Sequence, residues 1–198
     1  MAQWNAITAY LFAHPLEAAG FITTLAGIWL TTRRSMLCWP FIFAANLFYL
    51  VVLFRAFLLS SALLQFAYMA FTIYGCWHWA RGKRETGEVR IVSLHRQAML
   101  TGLGVGAVVA VLLGFLMAHA SASLPFLDAS LASFSLLATW WQVRKHLANW
   151  WLWIAVDLVY IGEYLFKGLK LTALLYALLI VLALLGLRSW GRAPRAEA

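Results

Sequence analysis

Acidic side chains are scarce in this chain: seven Asp and Glu stand against fifteen Lys and Arg. Charged residues of both signs reach only 11%, where soluble domains carry about a quarter. That excludes an ordinary soluble domain. Cysteine is nearly absent too. Cys38 and Cys76 are isolated and form no C-x-x-C, so neither a disulfide framework nor a thiolate metal site is expected. The five His are scattered without ligand spacing, and no metal or cofactor is expected. There is no H-E-x-x-H, no paired-acid motif and no nucleotide-binding loop, so ATP is not expected to drive the chemistry directly. The opening "MAQWNAITAYLFAH" lacks a basic n-region and an A-x-A site. No cleaved signal peptide is expected, and residues 1–14 read as a short interfacial helix.

What the chain has instead is apolar length. Hydrophobic residues make up 64% and the mean hydropathy is +0.82. The apolar runs are continuous over about 20 residues, enough for a spanning helix. They do not alternate, which excludes a barrel and leaves a helical bundle. The fold class expected is an all-α membrane protein. Spanning helices are expected at roughly 15–32, 37–54, 58–80, 98–119, 124–142, 149–166 and 170–190.

Seven spans put the termini on opposite sides. Twelve basic residues fall on one side: Arg33 and Arg34; Arg81, Lys83, Arg84, Arg90 and Arg96; Arg144 and Lys145; Arg188, Arg192 and Arg195. The other side has Arg55, Lys167 and Lys170. The positive-inside rule makes the first side cytoplasmic, with the N-terminus outside and the C-terminus inside. The basic balance thus reports topology, and no nucleic-acid partner is expected.

The chain also repeats itself. Residues 16–79 slide onto 127–190 without a gap. Trp29 falls on Trp140, Arg33 on Arg144, Trp39 on Trp150, Asn46 on Asp157, Tyr49 on Tyr160, Gly75 on Gly186 and Trp79 on Trp190. Each repeat holds three helices, and an odd number would invert a directly fused second copy. The extra helix restores its direction, so the repeats are expected to be parallel, a 3+1+3 plan like that of SWEET-type transporters. The organisation expected is a segment 1–14, a first repeat 15–80, a cytoplasmic linker 81–97, a linker helix 98–119, a second repeat 120–190 and a tail 191–198.

One stretch defies its surroundings. "NWWLWIAVDLVYIGEY" (149–164) is apolar and aromatic yet carries Asp157. Trp150, Trp153, Asp157, Tyr160 and Tyr164 are spaced to share one helical face. Asp157 lies about 10 Å along the helix from Trp150, near mid-bilayer. In the first repeat the matching face holds Trp39, Ile42, Asn46 and Tyr49, so Asn46 and Asp157 are expected to face each other across the pseudo-symmetry axis. An ionisable group at that depth marks a pathway or a binding site, and aromatics around one carboxylate suit an organic cation. The bland alternative is a protonated, hydrogen-bonded packing residue. A second stripe, Gln65, Tyr68, Thr72 and Trp79, offers donors and acceptors for a sugar or an amide. For Trp77 and Trp79 an aromatic belt is an equal alternative. Glu163 is expected to snorkel or to pair with Lys167.

"LLQFAYMAFTIYGCWHW" (63–79) and "NWWLWIAVDLVYIGEYLFKGLKLTALLYALLIVLALLGLRSW" (149–190) resemble the PnuC family of vitamin transporters. The most specific part is Trp150, Trp153, Ile154, Val156 and Asp157, with L-T-A-x-L-Y at 171–176. The family often reads Tyr-Gly-Trp where this chain has Tyr74, Gly75 and Cys76. The resemblance implies a SWEET-like homotrimer in a bacterial inner membrane. It implies uptake of nicotinamide riboside by facilitated diffusion, trapped inside by phosphorylation. Thiamine is the close alternative. Riboflavin ranks behind, because a neutral ring gains little from Asp157. Carried over by residue, the site would include Trp153, Asp157, Gln65, Tyr68 and Asn46; the faces described above add Tyr160 and Thr72. Asp157 leaves a proton-coupled version open. The rivals of other classes are an intramembrane enzyme, disfavoured for want of a nucleophile–base pair, and a structural or receptor subunit.

Overall fold

In a computed structural model the chain is all-α, with seven helices among the described residues, 15–55, 59–119, 124–166 and 170–194. They are α1 (Pro15–Thr32), α2 (Cys38–Arg55), α3 (Leu59–Thr86), α4 (Arg96–His119), α5 (Pro125–Val143), α6 (Ala148–Phe166) and α7 (Lys170–Gly191). The expected 1–14 interfacial helix lies outside the described residues. α2, α4 and Thr172–Gly191 of α7 are long and apolar enough to cross a membrane. The other four carry polar groups that lower their hydropathy. In α1 those groups are answered locally: Thr23, Thr24, Thr31 and Thr32 each donate to a carbonyl of their own helix.

α3 runs six residues beyond the expected end at 80. Its extension is built from helix formers, with Arg81 and Glu85 paired one turn apart at 3.0 Å. Gly87 stops it with φ +78, its N–H donating to Lys83 O at 2.8 Å.

The chain divides into two compact units, up to Cys76 and from Trp77. In unit 1, α1 packs on α2, and α2 packs on α3 through Trp39, whose ring lies where a Cβ of Gly75 would be. In unit 2, α4 packs on α5, α5 on α6 and α6 on α7. The α4 contact is a stripe of small residues, Gly106, Ala110 and Gly114, all buried. A Cβ at Gly106 would come 3.0 Å from Phe134, and Ser133 Oγ donates to Gly106 O at 2.8 Å. Val105, Val108, Leu112 and Phe115 stay exposed. This is how helices associate in lipid, by close backbone approach while large apolar side chains face the acyl chains.

The repeat returns as local structure. Trp150 meets Gly186 in unit 2 as Trp39 meets Gly75 in unit 1. α1 ends in a left-handed Arg34 (φ 55) and α5 in a left-handed Lys145 (φ 64). Around Arg34, Ser35 N donates to Leu30 O and Arg34 N to Thr31 O. Around Lys145, His146 N donates to Trp141 O and Lys145 N to Gln142 O. Both are Schellman closures with a basic residue where glycine is usual. Arg33 lies over Trp29 at 5.1 Å and Arg144 over Trp140 at 5.5 Å.

The end of unit 2 that carries Arg144 and Lys145 is tied together by the 87–95 segment. Val89 and Ile91 are buried. Ile91 N donates to Pro194 O and Val92 N to Lys145 O, both at 3.1 Å. Beneath them Trp79 is wholly buried, donates to Val143 O at 3.0 Å and packs on Trp190, which meets Trp150 edge-on. Trp79 is therefore a packing residue, while Trp77 is exposed.

Candidate functional site

The candidate residues lie in both units. In unit 1, α2 supplies Asn46 and α3 supplies Gln65, Tyr68 and Thr72. The spacing of 3 and 4 along α3 puts the last three on one face. Thr72 is buried, and Asn46, Gln65 and Tyr68 are half-buried. Asn46 Nδ2 donates to Thr72 Oγ1 at 3.3 Å, and Thr72 Oγ1 donates to Tyr68 O at 2.8 Å. The structure thus brings Asn46, Thr72 and Tyr68 into one hydrogen-bonded line, with Gln65 a turn further along α3.

In unit 2, α6 supplies Trp153, Asp157 and Tyr160. The indole Nε1 of Trp153 donates to Gln142 Oε1 of α5 at 3.3 Å, which orients the half-buried ring. Tyr160 stacks on Tyr176 of α7 at 4.5 Å and on Tyr164 at 5.9 Å, and Tyr164 and Tyr176 close the trio at 5.4 Å. One turn from Trp153, Asp157 is only 2% exposed, and its Oδ1 is buried with no hydrogen-bond partner.

The repeat explains that orphan. Asn46, its counterpart, is satisfied by Thr72; the position matching Thr72 in the second copy is Ala183, buried and without a polar atom. Unit 2 has exchanged an amide answered by a hydroxyl for a carboxylate that lacks that hydroxyl. A buried, unpaired carboxylate oxygen is costly unless a ligand supplies the partner.

Three residues of this region were not among the sequence candidates. Gln142 is a lone amide in "TWWQV", and Ser135 is buried two turns before it. Tyr176 occupies the repeat position of Gln65, which was the available signal. Glu163 does not snorkel. It is buried, at 8% exposure, because Asn149, Val156 and Glu163 recur every seven residues on one buried stripe. Its expected partner Lys167 lies outside the described residues. No group of His, Cys, Asp and Glu that could hold a metal occurs among the described residues.

A family profile described as "Nicotinamide mononucleotide transporter" matches residues 14–192. The riboflavin/roseoflavin transporter RibM of Streptomyces davaonensis is 32% identical, over 92% of this chain and 87% of that protein. The nicotinamide riboside transporter PnuC of Escherichia coli is 25% identical, over 91% of this chain and 86% of that one. The crystal structure of a vitamin B3 transporter PnuC superposes with a TM-score of 0.76 at 19% identity, covering 94% of this chain and 86% of that one. That last likeness is one of fold.

Proposed function

Because the chain belongs to the nicotinamide mononucleotide transporter family, we propose that it is a uniporter taking up nicotinamide riboside across a bacterial inner membrane. It is a membrane transporter of a small vitamin-type substrate, not an enzyme. The observation that carries the reading is Asp157 Oδ1, buried and unpartnered one turn from an oriented Trp153. A cationic nicotinamide ring supplies both missing partners, a charge for the carboxylate and a face for the indole. The ribose and carboxamide want polar partners, and Asn46, Gln65, Tyr68 and Thr72 offer amides and hydroxyls. In this reading Tyr160 continues the α6 face of Trp153 and Asp157 outward.

The assembly in this reading is a homotrimer with the N-terminus outside and the 81–97 linker inside. No second carboxylate occupies the position matching Asp157, so no proton is coupled. Substrate equilibrates and is trapped by phosphorylation inside. A second reading, riboflavin uptake, is favoured by the 32% identical relative named for that vitamin. Calorimetry on detergent-purified protein with nicotinamide riboside, thiamine and riboflavin separates them. Tightest binding of riboflavin, or none of nicotinamide riboside, rejects the first reading.

A further inference from the structure

The hydroxyl of Ser135 has no use in the packing of unit 2. The residue is 1% exposed, and its Oγ is buried with no hydrogen-bond partner. Its neighbours on α5 behave otherwise. Ser130 donates to Phe126 O, Ser133 to Gly106 O and Thr139 to Ser135 O. Its repeat counterpart Thr24 donates to Gly20 O at 2.8 Å. A serine in a helix ordinarily satisfies itself this way. One that does not, in a dry interior, bears the desolvation cost with nothing in return.

Its position follows from the packing of α5 on α6. The two helices are joined by only four residues, 144–147, and are registered by the Trp153–Gln142 hydrogen bond. Ser135 and Gln142 are seven residues apart and share a face. At 1.5 Å per residue Ser135 lies about 10 Å beyond Gln142, while Asp157 and Tyr160 lie about 6 and about 10 Å beyond Trp153. In an antiparallel pair Ser135 therefore comes opposite the stretch from Asp157 to Tyr160. The α5 residue nearest the level of Asp157 on that face is Ala138, fully buried and contributing only a methyl group. Two unpartnered buried oxygens, Ser135 Oγ and Asp157 Oδ1, thus lie on facing helices within about a helical turn of each other in depth.

We propose that Ser135 is a substrate-contacting residue whose Oγ hydrogen-bonds a hydroxyl of the ligand's ribose-derived part. The inference rests on the reading of this region as the vitamin site. Trp153 and Asp157 take the ring. Ser135 lies further from Trp153 than Asp157 does, where the part of the ligand attached to the ring must extend. A hydroxyl both donates and accepts, which matches an alcohol of a ribose or a ribityl chain. That chemistry is common to nicotinamide riboside and riboflavin, so the proposal holds for either vitamin.

The test compares Ser135→Ala with wild type by calorimetry and by thermal melting of the full-length detergent-purified protein. Each vitamin is paired with its ring alone: nicotinamide riboside with 1-methylnicotinamide, riboflavin with lumiflavin. Expected is a roughly 3- to 10-fold weaker Kd for the complete vitamin that wild type binds, the loss of one hydrogen bond. The truncated ring should be unaffected, and the melting midpoint unchanged or raised, because the variant removes an orphaned polar group. Equal Kd values for the complete vitamin, equal losses on both members of a pair, or a marked fall in melting midpoint would each overturn the proposal. Should the variant fail to fold, deoxy analogues of the vitamin on wild-type protein read the same contact, and an unchanged Kd for all of them rejects it. Wild type binding neither vitamin would remove the vitamin reading itself, and this inference with it.

Discussion

Asp157 shows how one residue can be poor for stability and useful for function. Its Oδ1 is buried without a partner, so the folded apo-protein carries a desolvation cost that nothing around that atom offsets. Asp157→Asn keeps the shape and lowers that cost. The variant should melt at the same or a higher temperature while losing a cationic substrate. A desolvated charge partner removed in this way costs about 2–5 kcal/mol, a loss of affinity of roughly 30-fold or more. Reduced nicotinamide riboside has no ring charge, and its weaker binding should hardly change. Calorimetry with both ligands and a melting curve read all three effects. A variant that binds the cation like wild type but melts lower would make Asp157 a packing residue.

At the scale of elements, the helix pairs within each unit depend on tryptophan rings seated on glycine. No Cβ fits at Gly75 beneath Trp39 or at Gly186 beneath Trp150. Gly75→Ala and Gly186→Ala should each destabilise by about 1–3 kcal/mol, the usual cost of overpacking, and Trp39→Phe should recover part of the Gly75→Ala loss. Unchanged melting temperatures would show that the rings can move aside. The connection between α5 and α6 carries a pH dependence of its own. Burial pushes His146 below its ordinary value of 6.5, and Arg144 adds to the shift. The Val92 carbonyl, 3.1 Å from Nδ1, opposes both. A group with a lowered folded pKa takes up its proton more readily when unfolded. Its stabilisation is therefore complete above about pH 6.5 and is lost as pH falls below that value. The melting midpoint should drop between about pH 7 and about pH 5.5, and His146→Gln should flatten that drop. A variant with the wild-type slope would assign the dependence elsewhere.

For the whole molecule the prediction is one of orientation and direction of flux. Every basic loop that the positive-inside rule assigns to the cytoplasm belongs to the same set as the 81–97 linker. An introduced cysteine at Ser121 should react with an impermeant thiol reagent in intact cells, and one at Glu88 only after lysis. The reverse pattern would invert the topology. In proteoliposomes free of kinase, labelled substrate should equilibrate and stop. Accumulation above the outside concentration under an imposed proton gradient would show coupling through Asp157.

Much of this was legible in the residues themselves. Helix ends at 32, 119 and 166 coincide with their expected positions, because continuous apolar runs bounded by charge leave a membrane chain little choice. The repeat was legible because Trp, Arg and Gly recur at one offset, and the two Schellman closures and the two Trp–Gly seats follow it residue for residue. Asp157 was legible as an anomaly, a charge among aromatics. The sequence could not say whether it is satisfied. That depended on which side chains packing brings within reach of Oδ1, and on the second repeat having Ala183 where the first has Thr72. Gln142, Ser135 and the burial of Glu163 were decided the same way. Each lies on a helix whose face is chosen by its neighbours, and helical period alone does not say which face a neighbour will cover.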